Sequence, residues 1–157
     1  MTSQNPENFN LPSDYTFSEN SWGNFFYKVY TTFRSYNGAK AQCESDGAFL
    51  AIPRSQAEND FLYGLLPNDN FWIGINDIDQ EGKFVAVDGR EISWTYWMAG
   101  QPNGGTGENA VTIDYWNGQW RDRDESSNRK FVCSIHIEGT NFLFELFRPF
   151  LSHLRPR

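Results

Sequence analysis

Apolar residues fall along the chain in three distinct rhythms. The run Phe25 to Phe33, FFYKVYTTF, has the aromatic and β-branched content of a strand. Ser35 follows as a candidate N-cap, and Ala39 and Cys43 stand one turn apart, so a helix is predicted that turns Cys43 inward and stops at Gly47. Ser55-Gln56-Ala57-Glu58 has the form of a capping box, and Phe61, Leu62, Leu65 and Leu66 continue it as an apolar stripe, which predicts a second helix. After Pro67 the rhythm shortens to FWIGI, KFVAV, ISWTYW, AVTIDYW, QW and FVCSIHI, separated by Asp-Gly, Asn-Gly and Gly-Gly pairs, and these are expected to be strands. Asn117-Gly118 predicts a type I′ hairpin, whose two central residues both need positive φ. Met98 to Asn109 is polar, rich in glycine and too long for a plain connection, so function is expected there.

The two ends lack these rhythms. Residues 1–20 are polar and read as a flexible leader or a tail laid on the surface, and MTSQNPENFN has neither the basic run nor the apolar stretch of a signal peptide. Met1 is therefore expected to begin a mature or recombinant form. At the other end, residues 137–157 form an apolar and basic tail: Leu143, Leu146, Phe147, Phe150, Leu151 and Leu154 make a helical stripe broken by Pro149, with Arg148, Arg155 and Arg157 as its positive charges. Three readings of that tail stay open: contact with a membrane surface or partner, packing on its own domain, or a cloning or splicing artefact. Folding is expected not to need it, and no apolar run is long enough for a membrane span.

Composition narrows the class. A chain of 157 residues that is 17% aromatic suits a single domain with a sheet-based core. The formal net charge of -7 excludes nucleic acid as a partner, because phosphate backbones need a basic stripe. An acidic surface suits calcium but equally suits an inert soluble protein. Cys43 and Cys133 are too far apart for a CxxC motif, and the two histidines, His136 and His153, sit together near the C-terminus, so zinc is not expected. The cysteines read either as a disulfide in an oxidising compartment or as two buried thiols. No nucleophile stands with a base, carboxylate pairs such as Asp122 and Asp124 are ordinary on solvated turns, and Gly104 to Gly107 lacks the Lys-Ser/Thr of a phosphate loop, so an enzyme is not expected.

Four short segments in order carry more: WIGI at Trp72 to Ile75, GQPN at Gly100 to Asn103, GEN at Gly107 to Asn109 and WRD at Trp120 to Asp122. Together with the two helices before them they resemble a C-type lectin-like domain, over residues 21–136. The resemblance implies an α+β fold in which two helices pack on antiparallel sheets beside a long ligand-binding loop, with Cys43 and Cys133 disulfide-bonded. WIGI is then simply a buried strand. The family's second disulfide is missing in both halves, because Ala110 and Glu125 stand at its positions, so the loop is expected to be more mobile.

In sugar-binding members the loop and the following strand hold a calcium ion whose open coordination sites take two neighbouring sugar hydroxyls. The resemblance transfers that role to Gln101, Asn103, Glu108 and Asp122 as metal and ligand contacts, with Arg121 as a further ligand-binding position and Pro102 in cis. Gln101-Pro102-Asn103 is neither the Glu-Pro-Asn linked to mannose-type sugars nor the Gln-Pro-Asp linked to galactose, so the sugar class cannot be read from it. Arg121 departs further, since a guanidinium has no acceptor where the family places an oxygen ligand. Outward, it leaves a weak calcium site; inward, it pairs with Glu108 or Asp122 and takes the cation's place. Replacing it with Asn is expected to raise calcium affinity tenfold or more. Asp77, Glu81 and Glu108 match parts of an accessory calcium site, but Gly104 and Asn109 stand where more carboxylates belong, so that site is not expected.

The resemblance thus implies a secreted or extracellular lectin that binds mannose- or galactose-type glycans through calcium. The alternative is a calcium-independent member that binds a protein or another surface. A homo-oligomer is a further candidate assembly.

Overall fold

The computed structural model describes residues 14–20 and 23–137. The chain runs through β1 (Thr16–Asn20), β2 (Gly23–Arg34), α1 (Tyr36–Ser45), β3 (Phe49–Leu50), α2 (Gln56–Leu65), β4 (Phe71–Asn76), β5 (Val85–Ala86), β6 (Ala110–Ile113), β7 (Trp120–Arg123) and β8 (Arg129–Ile137). One eight-stranded sheet has the order β1-β2-β8-β4-β6-β7, with β3 added beside β8 and β5 beside β4. Every pairing is antiparallel except β4 with β8, where Phe71 and Trp72 lie beside Lys130 and Phe131 in parallel. The sheet is therefore mixed, not purely antiparallel as expected.

Both helices begin where their caps stand. Ser35 Oγ accepts from the Gly38 amide at 3.2 Å, and Ser55 Oγ accepts from the Glu58 amide at 3.2 Å. The reciprocal half of the second cap is displaced by one residue, since Glu58 Oε2 accepts from the amide of Arg54. Tyr36, Ala39 and Cys43 of α1 join Leu50, Trp72, Ala110 and Phe131 in one core cluster, while Leu62 and Leu66 join Phe71, Ile73, Ile75, Val111, Ile113 and Trp120 in another. Phe71 and Trp72 are neighbours and point to opposite faces of β4, so the helices cover opposite faces of the sheet. This is why WIGI reads as an unbroken apolar run: β4 is buried on both sides. Cys43 and Cys133 are disulfide-bonded with their Cα atoms 5.4 Å apart, joining α1 to β8.

Gly74, inside WIGI, is required by close approach. A Cβ there would lie 2.5 Å from the Leu50 carbonyl oxygen, 2.7 Å from Val87 and 2.8 Å from Ile52. Gly74→Ala is expected to destabilise the domain by about 2 to 3 kcal/mol through overpacking, measurable by urea denaturation.

Other sequence expectations are corrected. The sheet begins at Thr16, inside the stretch read as a leader, because β1 pairs antiparallel with β2. ISWTYW is not a strand: only Trp97 bridges to Trp120, while Trp94 and Trp97 set their rings edge-on to Trp120 at 5.5 and 5.7 Å. KFVAV contributes only Val85–Ala86. The turn at Asn117-Gly118 is not type I′, since Gly118 alone has positive φ, at 71°. The hairpin instead closes through the bonds from Asp114 N–H to the Gln119 carbonyl and from Gly118 N–H to the Asp114 carbonyl. The apolar stripe of the C-terminal tail lies outside the described residues.

Candidate functional site

The loop from Met98 to Asn109 is fastened to β7 at its start and at its middle. The Met98 amide donates to the Trp120 carbonyl at 3.0 Å, and Asp122, only 2% exposed, accepts from the Asn103 amide at 3.0 Å and the Gly104 amide at 2.8 Å. Asp122 is thus a structural anchor as well as a candidate ligand, since a carboxylate has more lone pairs than these two amides use. The Gln101-Pro102 bond is cis. Asn103 is exposed, while Gln101 and Glu108 are half-buried. The space a Cβ at Gly104 would take is filled by Glu108 Cβ, Cγ and Oε2, so Gly104 lies between the Glu108 and Asp122 carboxylates.

Gln101 Oε1 is buried and has no donor among the described residues, and the same holds for Asp77 Oδ1. Asp77 is 2% exposed, and its Oδ2 accepts from the Gly82 amide at 2.8 Å. Nearby Glu81 has its carboxyl pushed up, by slight burial first and then by the negative charges of Asp77 and Asp122. Acceptors without donors and carboxylates that repel one another are what a cation relieves. Among the described residues no three Asp, Glu, His or Cys side chains converge as a metal-ligating group. Calcium at the loop would therefore draw on the amide oxygens of Gln101 and Asn103 as well as on Glu108 and Asp122. The donor set fits a hard cation, with two formal charges.

Arg121 does not pair with Glu108 or Asp122. Its Nε lies 3.2 Å from Asp114 Oδ2, and its guanidinium also rests on Met98 Sδ at 3.0 Å. Strand alternation explains this: Arg121 stands opposite Thr112 in the β6–β7 ladder, on the face away from Asp122. Arg121→Asn is accordingly expected to change calcium affinity by less than about threefold, not the tenfold that the sequence suggested, because the guanidinium is already neutralised by Asp114. The same substitution should cost about 1 to 2 kcal/mol, since Asp114 is 3% exposed and would keep, beside the Trp116 amide, the Arg123 cation at 3.8 Å. Paired calcium titration and thermal denaturation check both figures.

The loop's missing disulfide has a polar substitute that the sequence did not suggest. Asn109 Nδ2 donates to Glu125 Oε1 at 3.0 Å, tying together the segments that Ala110 and Glu125 leave without a covalent link. Asn59, also unmarked in the sequence, is fully buried; it accepts from Trp120 Nε1 and donates to the Gly118 carbonyl, both at 2.8 Å. Only a polar residue on the buried stripe of α2 signals it.

This geometry belongs to a known class. The family model for the lectin C-type domain matches residues 32–135, and the chain is a member of that family of non-catalytic binding domains. It is 37% identical over 108 residues to Lectin BRA-3 of Megabalanus rosa, covering 66% of this chain and 67% of that one. To the human C-type lectin domain family 3 member A it is 41% identical over 110 residues, covering 66% of this chain and 56% of that one. The chain thus spans between about half and two thirds of these relatives. Among solved structures it is similar to the cow C-type carbohydrate-recognition domain of CD23, in the presence of a GlcNAc2Man3 oligosaccharide. There the TM-score is 0.73 at 27% identity, covering 83% of this chain and 98% of that one. A calcium-independent type II antifreeze protein shares the fold at a TM-score of 0.74 and 19% identity, covering 80% of this chain and 94% of that one.

Proposed function

We propose that this protein is an extracellular lectin that binds glycans through a calcium ion held at the long loop by Gln101, Asn103, Glu108 and Asp122. The observation that carries this reading is Gln101 Oε1, buried and without a donor among the described residues, in a loop whose candidate carboxylates Arg121 does not pair with, its guanidinium lying on Asp114 instead. When bound, calcium supplies open coordination sites for neighbouring sugar hydroxyls. The chain's own part is to hold the loop. Asp122 fixes the backbone at 103–104, and the amides of Gln101 and Asn103 bring both donors and acceptors to a sugar's hydroxyls. Arg121 borders the site from the other face of the ribbon, where it offers N–H donors and no oxygen. The disulfide suits an oxidising, extracellular setting.

A second reading has one observation in its favour. Both oxygens of Asp122 already lie within 3.1 Å of a loop amide, so the loop is closed without a metal, as a calcium-independent surface for a protein would require. A glycan array run with calcium and again with chelator separates the two. Calcium-dependent spots support the lectin reading, and chelator-insensitive binding or none at all supports the alternative.

A further inference from the structure

Asn-Gly pairs occur at three places in the chain, at 37–38, 103–104 and 117–118. Such a pair is a labile setting for asparagine, because glycine has no Cβ to keep its nitrogen from the neighbouring side chain. The glycine nitrogen attacks the asparagine Cγ, the side-chain nitrogen leaves as ammonia, and a cyclic imide remains. Water then opens the ring, at one carbonyl to give Asp and at the other to give isoaspartate, with nothing oxidised or reduced. The reaction needs a side chain that can swing, a backbone that brings the nitrogen to Cγ, and access for water.

The fold withholds these conditions from two of the three pairs. Asn37 lies in the first turn of α1, where a helical ψ turns the next nitrogen away from Cγ, and the Gly38 amide donates to Ser35 Oγ at 3.2 Å. Asn117 is exposed, but its carboxamide is tied at both ends: Oδ1 accepts from the Gln119 amide at 3.0 Å and Nδ2 donates to Gln119 Oε1 at 2.8 Å. Gly118 is buried and its amide donates to the Asp114 carbonyl at 2.9 Å. Asn103 differs from both. It is exposed, and its side chain makes no hydrogen bond among the described residues; only its backbone amide is held, by Asp122. Gly104 is half-buried, and one restraint acts on its nitrogen, the bond to Asp122 Oδ2 at 2.8 Å.

We propose that Asn103 is a deamidation site, converted much faster than Asn37 or Asn117, and that its conversion resets the calcium affinity of the loop. The effect on calcium rests on the function proposed above, whereas the site of conversion does not. The Asp product raises the carboxylates of the donor set from two, Glu108 and Asp122, to three, and a hard divalent cation binds more tightly as ligand charge rises. Isoaspartate instead lengthens the backbone by one carbon between the two amides that Asp122 holds, and so loosens the loop.

The test keeps the intact protein warm at mildly alkaline pH, with and without denaturing urea, and follows the three Asn-Gly peptides by mass spectrometry. In urea all three should convert at similar rates. In the folded protein Asn103 should convert at least about tenfold faster than Asn37 and Asn117. A rate at Asn103 no higher than at the other two, in the folded protein, overturns the assignment. Calcium titration of Asn103→Asp, which reproduces one product, should show affinity at least about tenfold above the wild type. Equal affinities overturn the effect on calcium. No calcium binding by either protein overturns that effect together with the function it rests on, and the peptide rates still decide the site.

Discussion

Reducing the Cys43–Cys133 bond, or replacing both cysteines with alanine, is expected to destabilise the domain by about 4 kcal/mol. The bond closes a loop with a sequence separation of 90, which spans α2 and every strand from β3 to β7. Cutting it returns that loop-closure entropy to the unfolded chain, and the chain-entropy relation puts the loss at about 4 to 5 kcal/mol for a loop this long. Both sulfurs are also fully buried in the cluster of Tyr36, Trp72 and Phe131, so the folded state loses packing in the alanine variant. For a domain of this size the melting temperature should fall by roughly 15 to 30 °C. Thermal denaturation with and without a phosphine reductant measures this. A fall of only a degree or two would mean that the two helices and the sheet hold their arrangement without the link.

Asp122→Ala is expected to lose stability and calcium together, by about 2 to 4 kcal/mol and by at least about a hundredfold in affinity. Stability goes because the amides of Asn103 and Gly104 lose the buried carboxylate that accepts from them. Calcium goes because one of two carboxylates leaves the donor set. Asp122→Asn separates the effects: its amide oxygen keeps an acceptor for the loop, so most of the stability should return, while the missing charge keeps calcium weak. Urea denaturation and calcium titration of both variants give the two readings. Calcium affinity in Asp122→Asn equal to that of the wild type would remove Asp122 from the metal site.

The sequence disclosed features whose cause is local. Ser35 and Ser55 cap helices through their own first turns, and the unbroken apolar run at Phe71 to Ile75 follows from a strand covered on both faces. Features set by distant partners stayed hidden. Thr16–Asn20 has no apolar rhythm because it is an edge strand held by pairing with β2. The aromatics of ISWTYW look like strand residues, yet they pack their rings around Trp120 instead of entering a ladder. At the site, the loop motif was legible as a set of oxygen-bearing residues at 101, 103, 108 and 122. The orientation of Arg121 was not, because it depends on Asp114, a buried carboxylate beyond the motif. Asn117-Gly118 carries a turn signal, but the four-residue span between Asp114 and Gln119 leaves only Gly118 at positive φ.

The account rests on calcium at the long loop, and a calcium titration of the intact protein followed through the side-chain amide resonances of Gln101 and Asn103 tests it most directly. Saturable shifts of both amides, with a dissociation constant of about 10⁻⁴ to 10⁻³ M as befits two carboxylates and two amides, are the predicted result. Resonances that stay in place to about ten times that concentration, or shifts confined to residues outside the loop, would contradict it.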